Sequence, residues 1–172
     1  MRDELEIFLY GSEILRTHCE PVEVFDDSLR SLVEGMVRAM TREEGIGLAA
    51  PQVGRPLRLL IARDERDGWP KVLPLVNPEL VERSQQRVGM AEGCLSLPGI
   101  TEEVKRPVRI KVRYQDLEGR EQELQDDGML ARIIQHEYDH LEGILFVDHL
   151  SLIKRKLLAK KLKALQQRAK EG

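Results

Sequence analysis

The residues best suited to chemistry stand close together in Gln135-His136-Glu137-Tyr138-Asp139-His140. On a helix, His136 and His140 lie one turn apart, separated by about 40° in azimuth and roughly 6 Å in rise. Two imidazoles so placed can converge on one metal ion. Glu137, beside the first of them, can then act as a base toward water at that ion, the H-E-x-x-H arrangement of metallohydrolases. The plainer alternative is a solvated helix face. The apolar neighbours Leu130, Ile133, Ile134 and Leu141 weigh against it, because two buried imidazoles need partners.

A catalytic metal site takes three protein ligands and keeps one position open. Downstream the supply is poor. Where a metzincin has its third histidine the chain has Phe146, and the only glutamate after Glu142 is Glu171. Asp148 and His149 follow so closely on the helix end that they aim poorly. Upstream, Cys94 in Glu92-Gly93-Cys94-Leu95-Ser96 offers a thiolate, a strong ligand for Fe²⁺ or Zn²⁺. A lone cysteine is more often an inert core residue. Here the missing ligand and the adjacent Gly93, which permits close backbone approach, favour Cys94. Cys19 is the rival and reads as a free thiol. A third segment, Gly45-Ile46-Gly47-Leu48-Ala49-Ala50-Pro51-Gln52, is made of small residues that let other groups come near its backbone. It lacks the endings of a phosphate-binding loop or a dinucleotide fingerprint, and by itself it reads as a tight helix-to-strand connection.

The elements that must position these residues can be read in outline. Asp26 or Asp27 caps a helix with Leu29, Leu32, Val33, Met36, Val37 and Met40 on one face, and Gly45 ends it. Residues 57–62 and 72–76 are continuously apolar and read as buried strands. Residues 108–115 alternate, and Asp116-Leu117-Glu118-Gly119 turns them into a partner strand. Asp126 or Asp127 opens the histidine helix, Gly143 closes it, and its sparse charge predicts burial on most sides. A last helix from Ser151 to about Ala169 places Leu152, Ile153, Leu157, Leu158, Leu162 and Leu165 on one face and basic residues on the other. Strands and helices come in separate runs, so the fold class is α+β.

Length and charge bound the rest. At 172 residues the chain reads as one domain, with residues 1–150 as its body and 151–172 as a basic helix of the same domain. Aromatic residues are only 4 % of the chain, so the core must be aliphatic. The 27 basic and 30 acidic residues nearly balance, which excludes a uniformly basic nucleic-acid binder. The balance is uneven, however: residues 151–172 carry +7 and the body −10. No apolar stretch reaches the length of a membrane span. The acidic opening Met1–Glu6 does not read as a signal peptide, and two cysteines 75 positions apart suit free thiols in a cytosolic protein.

Taken together, the three segments resemble the peptide deformylase family. Its boxes G-x-G-Φ-A-A-x-Q, E-G-C-Φ-S and H-E-x-D-H, with Φ apolar, read here as GIGLAAPQ, EGCLS and HEYDH, in the same order and without a departure. The resemblance runs from about Leu5 to the last helix. It implies antiparallel β-sheets packed around a central metal-binding helix, with a C-terminal helix. The implied activity is hydrolysis of the formyl group from the N-terminal formylmethionine of new polypeptides, releasing formate. The alternative is another metal-dependent amidase or peptidase on the same scaffold. The implied metal ligands are Cys94, His136 and His140, holding Fe²⁺ or, in some members, Zn²⁺. Glu137 is the implied base, with the Gln52 amide and the Leu95 backbone N–H as oxyanion donors. The Gly47 backbone would contact the formyl amide, and Ile46 would pair with the peptide as an added strand. Ile46, Met129 and Ile133 would line the methionine slot, with Arg132 at its rim, stem as wall and head toward substrate or solvent. The expected partners are formylmethionyl nascent peptides, met by a monomer in the bacterial cytoplasm, with no membrane attachment. For the basic helix two readings stand: a packed helix with a solvated face, or a dock on ribosomal RNA near the point where the substrate emerges.

Overall fold

In the computed structural model, which describes residues 4–172, an antiparallel sheet lies between two helices. Of the acidic opening, Met1, Arg2 and Asp3 lie outside the described residues. Helix α1 (Asp27–Arg42) is followed by strands β1 (Gly47–Ala49), β2 (Leu59–Asp64) and β3 (Lys71–Arg83). A hairpin of β4 (Arg87–Gly93) and β5 (Thr101–Pro107) precedes β6 (Ile110–Gln115) and β7 (Glu121–Asp126). Helices α2 (Met129–Leu141) and α3 (Leu152–Glu171) complete the chain. The larger sheet has the order β1-β2-β3-β6-β7, and β4 and β5 pair separately.

The apolar run around residues 59–62 follows from its place between two layers. Leu60 and Ala62 point into the core beneath α2, with Leu130, Ala131 and Ile134. Leu59 and Ile61 point the other way, against Val33, Met36 and Met40 of α1. A strand buried on both faces has no polar alternation to show.

Helix ends correct one expectation. Asp26 caps α1, its carboxylate accepting from the backbone N–H groups of Ser28 and Leu29. At the other end Gly45 is not the terminating residue. Glu44 takes the left-handed conformation (φ 55°), and the N–H groups of Glu44 and Gly45 bond back to Thr41 and Met40. Gly45 is needed for space instead, since a β-carbon there would lie 2.8 Å from Leu95 Cδ1. The cap position of α2 is Gly128, but Asp126 still opens the helix from two residues upstream, accepting from the Ala131 N–H at 2.7 Å. Gly143 (φ 73°) closes α2 as expected, with Ile144 N–H bonded to the Asp139 carbonyl.

Strand β3 is far longer than the apolar run at residues 72–76. It continues through an irregularity at Asn77 (φ 50°), whose side chain is held by Val22 and Gln115. The β4–β5 hairpin was not expected at all. Its strands are mostly exposed, β5 is mostly polar, and neither is long enough in apolar–polar alternation to mark a half-buried strand. Helix α3 departs from its predicted apolar face as well. Leu158, Leu162 and Leu165 pack with Leu15, Leu97 and Phe146, whereas Leu152, Ile153 and Leu157 are 61 %, 73 % and 78 % exposed.

Candidate metal centre

Three elements meet at one face of α2. The helix presents His136 and His140, whose ring centroids are 5.3 Å apart. Cys94 stands just past the end of β4, in a turn closed by the Leu97 N–H on the Cys94 carbonyl. Gln52 comes from the short helical turn Ala50–Val53 that follows β1. The ligand atoms of Cys94, His136 and His140 all lie within 4.8 Å of one another, and Cys94 Sγ is 3.4 Å from His140 Nε2.

The donor set fits a divalent cation. Burial and the neighbouring His136 push His140 well below the ordinary imidazole range, so it is a neutral ring with a free lone pair. Burial opposes a charge on His136 too, but its bonds with Cys94 and Glu92 overcome this and raise its pKa. The neutral His140 ring, the Cys94 sulfur and a His136 ring held by Glu92 are the donor types that a divalent ion takes. Glu137 Oε2 is buried without a hydrogen-bond partner and lies 4.0 Å from His140 Nε2. Burial pushes the Glu137 carboxyl up to about 7, against the opposing charge of His136. A carboxylate poised there suits transfer of a proton near neutral pH.

Around this centre is a cavity of about 430 Å³, lined in part by Gly45, Ile46, Gly47, Gln52, Met90, Leu95, Met129, Ile133 and Glu137. Ile46 and Met129 are about half exposed at its mouth, and Ile133 is buried at its wall. The Gln52 amide is fixed at both ends. Its oxygen accepts from the Ala49 N–H at 2.9 Å, which turns the NH₂ toward Ser96 Oγ (3.1 Å) and Cys94 Sγ (3.5 Å).

Arg132 does not behave as the sequence suggested. Its stem reaches the cavity, but its guanidinium is buried and faces neither substrate nor solvent. Nη1 donates to Glu92 Oε2 (2.7 Å) and the Val104 carbonyl (2.8 Å), and Nη2 to the Val88 carbonyl (2.8 Å). Arg132 therefore ties α2 to both strands of the β4–β5 hairpin.

The residue that sequence reasoning passed over is Glu92. Its Oε1 accepts from His136 Nδ1 (2.8 Å), and Arg106 spans both oxygens through Nε (2.7 Å) and Nη2 (2.9 Å). Burial alone would raise the Glu92 carboxyl, but these bonds hold it well below the usual carboxylate range. An ionised Glu92 fixes the His136 tautomer and leaves Nε2 for the metal. The signal for it was its place two residues before Cys94. Arg106 carried no signal, because nothing in its neighbourhood marks it as buried.

Known proteins agree with this geometry. A family model described as polypeptide deformylase matches residues 4–156. The peptide deformylase of Brucella suis is 46 % identical over 165 residues, covering 95 % of this chain and 94 % of its own. That of Salinibacter ruber is 44 % identical over 169 residues, covering 92 % and 87 %. Among solved structures, a plant peptide deformylase superposes with a TM-score of 0.92 at 39 % identity, covering 97 % of this chain and 91 % of its own. The Plasmodium falciparum enzyme gives 0.91 at 36 %, covering 96 % and 98 %.

Proposed function

This chain belongs to the polypeptide deformylase family and is a metal-dependent hydrolase that removes the formyl group from new peptides; we propose that it does so with Glu137 as the base and Fe²⁺ as its ion. The observation that carries the reading is the convergence of Cys94, His136 and His140 beside the buried, unpartnered Glu137 carboxylate in an apolar-walled cavity.

A divalent ion held by Cys94, His136 and His140 would supply Lewis acidity and lower the pKa of water toward neutrality. Glu137 takes the proton of the attacking water and delivers it to the leaving amine. The charge developing on the formyl oxygen is met by donors aimed at it, the Gln52 amide and the Leu95 backbone N–H. Losing one such donor costs roughly 3–4 kcal/mol of transition-state stabilisation. Ile46 and Gly47 align the peptide as a strand added to β1, while Met129 and Ile133 flank the methionine side chain. Arg132 acts on substrate only through the stem and otherwise holds Glu92.

The test is formate release from a formylmethionyl peptide beside cleavage of the unformylated peptide, after anaerobic purification with metal analysis. Formate release that depends on metal, without peptide cleavage, is expected. Glu137→Ala should keep its metal and lose about 10²- to 10⁴-fold in turnover. Wild-type turnover in that variant would overturn the mechanism, and equal lifetimes in air and under nitrogen would overturn iron.

We place this activity in the bacterial cytoplasm, in a monomer whose residues 1–150 form the catalytic body and 151–172 a helix of the same domain. Among the described residues no helix is long and apolar enough to cross a membrane. We assign α3 a second role as a ribosome dock. Ile153 and Leu157, one turn apart and exposed, are flanked by Lys156, Lys160 and Lys161, a mixed basic and apolar strip that the solvated-face reading leaves without a purpose.

A further inference from the structure

The hydrogen bonds that fix His136 do not stop at Glu92. Arg106 spends Nε and Nη2 on the two oxygens of Glu92, and its remaining nitrogen, Nη1, donates to Asp139 Oδ2 at 2.8 Å. The same oxygen accepts from His149 Nε2 at 2.7 Å. A nitrogen facing a carboxylate at that distance carries the proton, so His149 is the donor. The result is one continuous chain, His136–Glu92–Arg106–Asp139–His149, from a buried metal ligand to a histidine whose side chain is one-third exposed. It links four places in the fold: α2, the end of β4, β5 and the turn Phe146–His149.

We propose that His149, with Asp139, is a positioning residue for the metal centre. This rests on the assignment of His136 as a ligand. A guanidinium holds a carboxylate in plane only if its own plane is held, and Asp139 is the group that holds the outer edge of Arg106. His149 in turn keeps Asp139 Oδ2 aimed at Arg106. Without it, the Asp139 carboxylate is free to turn toward water, Arg106 loses its outer anchor, and Glu92 can tilt away from His136 Nδ1. Ligand orientation then loosens from a point outside the ligand set.

The probe is Co²⁺, whose visible bands report the ligand field directly. Outer partners of ligating histidines are typically worth about 10- to 100-fold in metal affinity. His149 is removed from Glu92 by three further links, so a smaller effect, about threefold to tenfold, is expected. Co²⁺-loaded His149→Phe should lose its metal to excess chelator faster by that factor, with shifted visible bands and unchanged KM. His149→Gln places a donor nitrogen at the same distance from the backbone and should restore both the rate and the bands. In an Asp139→Asn background, His149→Phe should add nothing further, because coupled residues do not act additively. Wild-type release and unshifted bands in folded His149→Phe would overturn the proposal, whatever the melting temperature. So would a His149→Gln variant that recovers stability but not the metal-release rate, or an undiminished effect in the Asp139→Asn background. Failure of the deformylase assay with these cobalt readouts intact would count against the activity and leave this positioning role standing.

Discussion

Gly47 lies directly against the Glu137 carboxylate: a β-carbon at residue 47 would sit 2.8 Å from Glu137 Oε1 and 2.7 Å from Ile133 Cγ2. The restriction is one of space, because Gly47 has no positive φ that another residue would resist. The glycine backbone of β1 and the proposed base on α2 share one small volume.

Gly47→Ala should therefore push the carboxylate and Ile133 aside while leaving Cys94, His136 and His140 in place. A displacement near 1 Å in a catalytic group costs about 10²-fold in rate, and overpacking costs about 1–3 kcal/mol in stability. Metal content should stay stoichiometric. A variant with full turnover would show that Glu137 has room the packing does not allow.

Glu137 should make the metal-free protein less stable as pH rises. Its carboxyl is raised from 4.5 to about 7 by burial, so the folded state holds the proton more tightly than the unfolded chain does. The resulting stability is complete below pH 4.5 and is lost as pH climbs to about 7. Glutamine imitates the protonated acid. Metal-free Glu137→Gln should melt above metal-free wild type at pH 8, by on the order of 3 kcal/mol, and match it below pH 4.5. Equal melting at both pH values would remove the raised pKa.

The two thiols should separate cleanly in chemical labelling. Cys19 is 1 % exposed, and burial pushes its thiol up to about 11. Cys94 is partly exposed at the cavity. Iodoacetamide at pH 8 should modify Cys94 of the chelated protein, spare Cys19, and modify neither when Co²⁺ is restored. Mass spectrometry of the digested protein reads the result, and metal-independent labelling of Cys94 would argue against it as a ligand.

Ribosome binding is better tested by substitution than by removing α3, because Leu158, Leu162 and Leu165 are part of the core that also holds Leu97 and Phe146. Lys156→Glu with Lys160→Glu should weaken cosedimentation and flatten its dependence on salt. Leu157→Ser should weaken it with the salt slope kept. Formate release from a short peptide should stay at the wild-type level in both. Unchanged cosedimentation in either variant would remove the dock.

Some elements were legible because their chemistry is local. Leu29 to Met40 repeat at helical spacing, Asp26 precedes them, and Gly143 follows α2 where a positive φ is required. The alternation of residues 110–115 and the turn at 116–119 mark the β6–β7 hairpin in the same way. The β4–β5 hairpin escaped because its mostly exposed strands are fixed by pairing with each other and by buried charges, Glu92 and Arg106, whose partners lie on distant elements. The exposed Leu152, Ile153 and Leu157 escaped because hydrophobicity does not say whether a covering surface exists.

By itself the sequence determined the candidate ligand types, the proposed base and their order: two histidines one turn apart, a glutamate between them, a cysteine upstream and a run of small residues for close approach. Those follow from residue identity and from the fixed pitch of one helix. Only the tertiary structure decided where the charges go. It turned Arg132 inward to Glu92, joined Glu92 to His136, and ran the chain on through Arg106 and Asp139 to His149. These partners lie 10 to 44 positions apart. A buried charge is tolerable only where the fold brings an opposite one within hydrogen-bonding reach, and no local spacing encodes that meeting.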